Sequence, residues 1–254
     1  MSEKKYELIL SDKEGLFRIR ALRDFANVKV GDVGGYVSGE HNLSQNDFCW
    51  IHHDARVSDE AQVYNNARVS GYAIISDFAR VYGNARVFGS AHVYGDAQVS
   101  GNAHVFGDAK VYGNAHVSGN AQVYNYAQVY DSALVSDNAQ VSDDAKVFDN
   151  ARVYGSAIVS GNALVSDHAR VSGFARIYSG TIQYTTDYML IGPIGSREAY
   201  TTFFKDADNI MVSCGCYKGT IQEFEDKVKE TYQDNKYAKQ YLSTINYVKA
   251  MFKI

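Results

Sequence analysis

Alanine stands at every sixth position from Ala55 to Ala175 without one omission, twenty-one times in all. Two residues after each comes a β-branched residue: Val57, Val63, Val69, Ile75 and onward to Val171 and Ile177. Cys49 and Ile51 keep the same register, which predicts a twenty-second unit ahead of the set. The unit reads Ala-x-Val-[Tyr/Ser/Phe]-[Gly/Asp/Asn]-x. A repeat this short leaves few folds open. Within Ala-x-Val, side chains alternate inward and outward as in a strand. The next three residues must turn the chain, and Gly, Asn and Asp are the types that tolerate positive φ. The chain has a single proline, so its many turns rely on those residues. Three strand-turn units close a triangle, and successive triangles stack by parallel pairing at about 4.8 Å. A triangle so narrow holds one branched and one small side chain per side, hence Val and Ala. The twenty-one units predict about seven coils, roughly 34 Å tall.

The hexads resemble the hexapeptide repeat of the left-handed parallel β-helix, the fold of many trimeric acyltransferases. The resemblance covers residues 49–180, about half the chain, and supplies the expected hand. The segments Phe17-Arg-Ile-Arg-Ala-Leu-Arg-Asp-Phe25 and Gly31-Asp-Val-Gly-Gly-Tyr-Val37 are similar to the leader of bacterial and phage proteins known as hexapeptide-transferase-like or polymer-forming. Such a resemblance is one of fold before it is one of activity.

A solenoid exposes apolar ends and unpaired edges that need covering. Residues 1–48 are expected to form an N-terminal β cap. Its strands fall at 4–10 and 16–22 around Asp12-Lys-Glu-Gly15, with further turns at Gly31, Gly34 and Gly35. Residues 49–180 form the solenoid. The register breaks after Ile177, and 181–198, with Pro193, reads as a linker. Residues 199–254 are expected to form a small α+β domain of ββαα order. It has a hairpin around Lys205–Asn209, a helix opened by the capping box Thr220–Glu223, and a second helix over 236–252. That domain is read both as a cap and as a recognition module.

Residues eighteen apart stack on one face. One outward column holds Tyr94, Tyr112, Tyr130 and Phe148, and another Phe88, Phe106 and Tyr124. Beside them stand Ile74, Leu134, Ile158 and Leu164. Such ladders either brace neighbouring coils or, as the trimeric family implies, form an oligomer interface. Asn66, Asn84, Asn102, Asn120 and Asn138 stack at a corner, where amides in register can bond along the column. Arg68 and Arg86 stack too, as do Arg152 and Arg170. They are either splayed into solvent or held by an anion or acidic partner.

For catalysis, the resemblance points to a histidine base in a cleft between subunits, with acetyl-CoA as the co-substrate. The candidates are His92, His104 and His116, whose spacing places them on three different faces. The uninterrupted hexads offer no inserted loop to shape an acyl pocket, and regular faces are flat. Cys214-Gly-Cys216 places two thiols on one face of a strand with no second pair at zinc spacing, so no metal is expected. Ser196 and Arg197, in Gly192-Pro-Ile-Gly-Ser-Arg197, are candidate anion ligands. A net charge of −4 argues against nucleic acid. Met1–Leu10 has no signal-peptide character and no run reaches about 18 apolar residues, so a cytoplasmic protein away from membranes is expected. The expectation is a non-catalytic homotrimeric scaffold, without cofactor, that recognises a protein through residues 199–254. A CoA-dependent acyltransferase and a protein binding or sequestering a small anion or nucleotide are the alternatives.

Overall fold

The computed structural model describes residues 4–253, so the first three residues of the expected N-terminal cap and Ile254 lie outside the described residues. Each hexad contributes a two-residue strand, the variable residue and the β-branched one after it, from Arg56–Val57 through Arg176–Ile177. These strands stack in parallel with partners eighteen residues apart, as Arg86 lies between Arg68 and His104. Three sheets of eleven, eight and seven strands form the faces of the prism. The first face runs from Arg56–Val57 to Thr181–Ile182, the second from Gln62–Val63 to Arg170–Val171, the third from Trp50–Ile51 to Arg176–Ile177. The repeat's Ala and Val side chains fill the interior and are fully buried, Ala109 and Val111 at 0% exposure.

The corners explain the rest of the hexad. Every sixth residue from His53 to Gly173 has positive φ, and all but His53 are Gly, Asn or Asp. A side chain on Gly101 would place its Cβ 2.9 Å from the Gly119 nitrogen of the next coil. Where aspartate fills the site, its carboxylate accepts from the equivalent N–H one coil on: Gly95 donates to Asp77 and Gly155 to Asp137, both at 2.9 Å. The asparagine column forms the expected ladder, each amide donating to the next from Asn66 to Asn138 at 3.0–3.1 Å.

The solenoid is longer than the alanine pattern implies. Trp50–Ile51 supplies the twenty-second strand, paired with Arg68–Val69. Thr181–Ile182 adds one more beyond Ile177, paired with Leu164–Val165, giving about eight turns rather than seven. This last unit has five residues. Gly180 stands in the alanine position, its carbonyl accepting from Leu164 N at 2.9 Å as Ala175 accepts from Ile158.

The N-terminal cap comprises β1 (Tyr6–Leu10), β2 (Phe17–Ala21) and β3 (Val33–Val37). They pair antiparallel in order, and β3 then pairs in parallel with Arg56–Val57, so the cap continues the first face. Gly31 makes the expected turn, with φ 88°, but Gly34 and Gly35 lie inside β3. Side chains there would strike Ile19, Ile51 and Ala55, so these glycines serve close packing of cap on coil. Lys5 plugs the solenoid end: its buried Nζ donates to the carbonyls of Asp47 and Cys49 at 2.9 and 3.0 Å. Burial pulls its pKa below the ordinary lysine value.

At the other end, the expected linker 181–198 is structured. After Thr181–Ile182 and a 3₁₀ turn over Thr185–Asp187 comes the strand Tyr188–Ile194, which pairs antiparallel with Ala199–Asp206. Pro193 escapes the usual exclusion because this is an edge strand and the proline sits at a break in register between Ile191 and Ile194. Asn209–Cys214 and Tyr217–Thr220 complete a four-stranded sheet, followed by α1 (Ile221–Tyr232) and α2 (Lys236–Phe252). The order is therefore ββββαα, not ββαα. Alternation along Ala199–Asp206 decides how this domain sits: Phe204 packs into the solenoid core, and Phe203 packs into the separate core beneath the helices. The sheet lies between solenoid and helices, and the domain is a cap.

Candidate binding cleft on the C-terminal cap

The cap carries a cleft of about 510 Å³ between the Ser196–Ala199 turn, the hairpin at Cys214–Tyr217 and the helices. Phe224, Val228 and Tyr232 present one face of α1 to it, at the i, i+4, i+8 spacing of a helical stripe, and Tyr241 of α2 forms the floor. Thr220 begins α1 by accepting from Glu223 N at 3.2 Å, while Glu223 accepts from Thr220 N at 2.8 Å, as the capping box requires. The rings are interlocked. Phe224 meets Tyr241 edge-on at 5.4 Å, Tyr217 lies 5.1 Å from Phe224, and Tyr232 lies 5.9 Å from Tyr241.

Ser196 and Arg197, named from the sequence, both line this cleft. Ser196 Oγ is 2.9 Å from the Tyr232 hydroxyl. Gly195 precedes them with φ 74°, and a side chain there would collide with the Tyr241 hydroxyl. The Gly195 N–H donates to Gln240 Oε1 at 3.2 Å, which fastens the turn to α2. Arg197 is exposed at the mouth and, among the described residues, forms no ion pair; Lys227 on the rim is paired with Glu230 at 2.7 Å. Cys214 and Cys216 do not share a strand face. The strand ends at Cys214, and Gly215, with φ 61°, turns the chain so that Cys216 projects into solvent. Cys214 Sγ accepts from Thr201 Oγ1 at 3.2 Å and lies 3.7 Å from the Tyr241 hydroxyl. Burial, with Cys214 adding to it, pushes the Tyr241 hydroxyl well above the ordinary tyrosine value, so it stays protonated. The result is an apolar, aromatic hollow with hydroxyls along one side and one unpaired guanidinium at its mouth. It is suited to holding an apolar group that carries a negative charge.

The other sequence candidates are dispersed. His92 lies on the first face, His104 on the third and His116 on the second, as their spacing requires, and none reaches the cleft. His104 sits edge-on to Phe88 at 6.2 Å, and partial burial, with Arg86 adding to it, lowers its pKa. The two aromatic columns are stacked with rings within 5° of parallel. Spacings are 4.9, 4.8 and 5.0 Å from Tyr94 through Tyr112 and Tyr130 to Phe148, and 4.8 and 5.0 Å from Phe88 through Phe106 to Tyr124. A third stack, Tyr64 on Tyr82 at 4.9 Å, extends the pattern to the second face. All these rings are half-buried, so each braces its coil neighbours. Among the described residues, no three His, Cys, Asp or Glu side chains converge as metal ligands would, and no helix is long and apolar enough to cross a membrane.

Sequence reasoning missed the cleft's aromatic wall. Its residues come from two helices and a hairpin turn, and only Phe224, Val228 and Tyr232 leave a readable trace as a helical stripe. Among known families, a model described as YdcK Beta solenoid repeat fits residues 61–77, 79–95 and 145–161. No curated protein is similar enough to the chain to count as a relative. The three matched segments lie within the stack of hexads, and the chain is a repeat-built parallel β-solenoid protein.

Proposed function

We propose that this protein is a non-catalytic scaffold: a rigid solenoid rod, assembled as a homotrimer, that offers the cleft of its C-terminal cap to a protein partner. The observation that carries this reading is the contrast between the two parts. The hexads run without an insertion and present flat faces of repeated side chains, whereas the cap combines an aromatic hollow with the unpaired Arg197. Concavity with a few polar groups is what specific recognition uses. The half-buried aromatic ladders support the trimer, since each adds apolar edge to a face that a neighbouring copy could cover. An acyltransferase would need a histidine beside a pocket, and the three candidate histidines stand on separate faces of one subunit.

The test uses the full chain with a photoreactive maleimide on Cys216, at the cleft mouth. A parallel variant carries the label at Ser132→Cys on an exposed solenoid corner, with Cys214 and Cys216 replaced by serine. The expected result is a defined crosslinked partner from the cleft position, absent from the corner position and lost with Arg197→Glu. Equal capture from both positions, or capture indifferent to Arg197→Glu, would sink the proposal.

A further inference from the structure

The two stacked arginines of the third face line a groove beside the N-terminal cap. Parallel pairing places Arg86 directly on Arg68, with Trp50 before them and His104 after, so two guanidinium groups leave the sheet one coil apart, about 4.8 Å. Like charges in such register repel unless something lies between them. Neither arginine has a carboxylate within ion-pair distance among the described residues. Asp47, on the neighbouring cap loop, is occupied by Ser44 Oγ at 2.8 Å and Asn65 N at 3.0 Å. The N-terminal cap then raises a wall beside the pair: Ala26, Phe48, Asn66, Arg68, Asn84 and Arg86 enclose about 430 Å³.

We propose that this groove binds a phosphate-class dianion between Arg68 and Arg86. Each guanidinium can direct two N–H groups at one edge of a tetrahedral oxyanion, and two such cations match two negative charges. Asn66 and Asn84 each commit one amide hydrogen to the next rung, at 3.1 and 3.0 Å, which leaves the second free to donate. The positive field is felt around the groove: beyond the larger effects of burial and, at His52, of the adjacent His53, Arg68 lowers the pKa of His52 and Arg86 that of His104. Phe48, 57% exposed, stands at the open side, where its ring can stack on a planar group attached to the phosphate. The site is independent of the cap cleft at the opposite end of the rod.

The chain supplies its own control. Arg152 and Arg170 stack in the same way on the second face, but beside the other cap, where the Tyr188 hydroxyl donates to the Arg170 carbonyl at 3.0 Å. Calorimetric titration of the full chain at low salt uses inorganic phosphate, adenosine monophosphate, adenosine and acetate as probes. The two phosphates bind and the neutral and monoanionic probes do not. Arg68→Gln with Arg86→Gln weakens phosphate binding about tenfold or more, whereas Arg152→Gln with Arg170→Gln leaves it unchanged. Neither pair of substitutions lowers Tm, because each removes a repulsion. Tighter binding of adenosine monophosphate that falls to the inorganic level in Phe48→Ala supports an organic phosphate as the ligand; equal binding of the two supports free phosphate. Absence of phosphate binding up to about 10 mM, or binding that survives loss of both Arg68 and Arg86, would overturn the proposal. Equal weakening by the Arg152 and Arg170 substitutions would also overturn it.

Discussion

Val111 is a representative core residue: fully buried, flanked by Val93 and Val129 on adjacent rungs, with the small Ala109 beside it on its own rung. Val111→Ala should cost about 2 kcal/mol, because a prism wall held by two ladders cannot collapse into the space. Ala109→Leu should cost about 1–3 kcal/mol by overpacking. Equilibrium urea unfolding measures both. The tyrosine ladder makes a second residue-level prediction. Burial, followed by the neighbouring Tyr94 and Tyr130, pushes the Tyr112 hydroxyl up to about 12 from the ordinary 10. Between those values the folded chain keeps a proton that the unfolded chain has lost. The contribution is thus complete below pH 10 and lost as pH rises toward 12. Absorbance titration should show tyrosines that ionise late in the native protein and normally once unfolded, with one fewer late-ionising tyrosine in Tyr112→Phe. A native titration centred at 10 throughout would contradict this.

At the scale of elements, the corner is the decisive unit. Gly101→Val forces a branched residue to φ 63° and brings its Cβ against the next coil, so it should destabilise by about 1–3 kcal/mol or more. At Asp131, on another corner, where aspartate already holds φ 55°, Asp131→Gly should be tolerated within about 1 kcal/mol. Thermal melting distinguishes the two. This part of the fold was legible because each physical demand falls on a separate position of the hexad: Ala and Val inside, Gly, Asn or Asp at positive φ. The final strand, Thr181–Ile182, was not, since a unit shortened to five residues breaks the pattern while Gly180 keeps the hydrogen bond. Pro193 and Gly192 imitated a linker because edge strands tolerate breakers that inner strands do not. Gly34 and Gly35 imitated turns because close packing and chain reversal both select glycine. Of the candidate cleft, Ser196 and Arg197 were found through their turn. The facing aromatic wall is assembled from distant segments, and only the Phe224, Val228 and Tyr232 stripe of α1 leaves a local trace.

At the scale of the whole molecule, the caps decide what can be cut away. Residues 190–254 close the end of the rod: Phe204 packs into the solenoid core and Thr202 Oγ1 accepts from Arg176 N at 2.9 Å. The truncated chain should expose a sheet edge and aggregate, as uncapped solenoids do. Size-exclusion chromatography checks this, and a monodisperse rod from the truncated chain would refute it. The proposed trimeric scaffold, which binds no acyl-CoA, is tested most directly by native mass spectrometry of the full chain, alone and with acetyl-CoA. The expected result is a species of three times 28.1 kDa that gains no saturable acetyl-CoA adduct. A monomer would reduce the aromatic ladders to internal bracing, and an adduct lost on substitution of His92, His104 or His116 by alanine would contradict the scaffold and establish the acyltransferase.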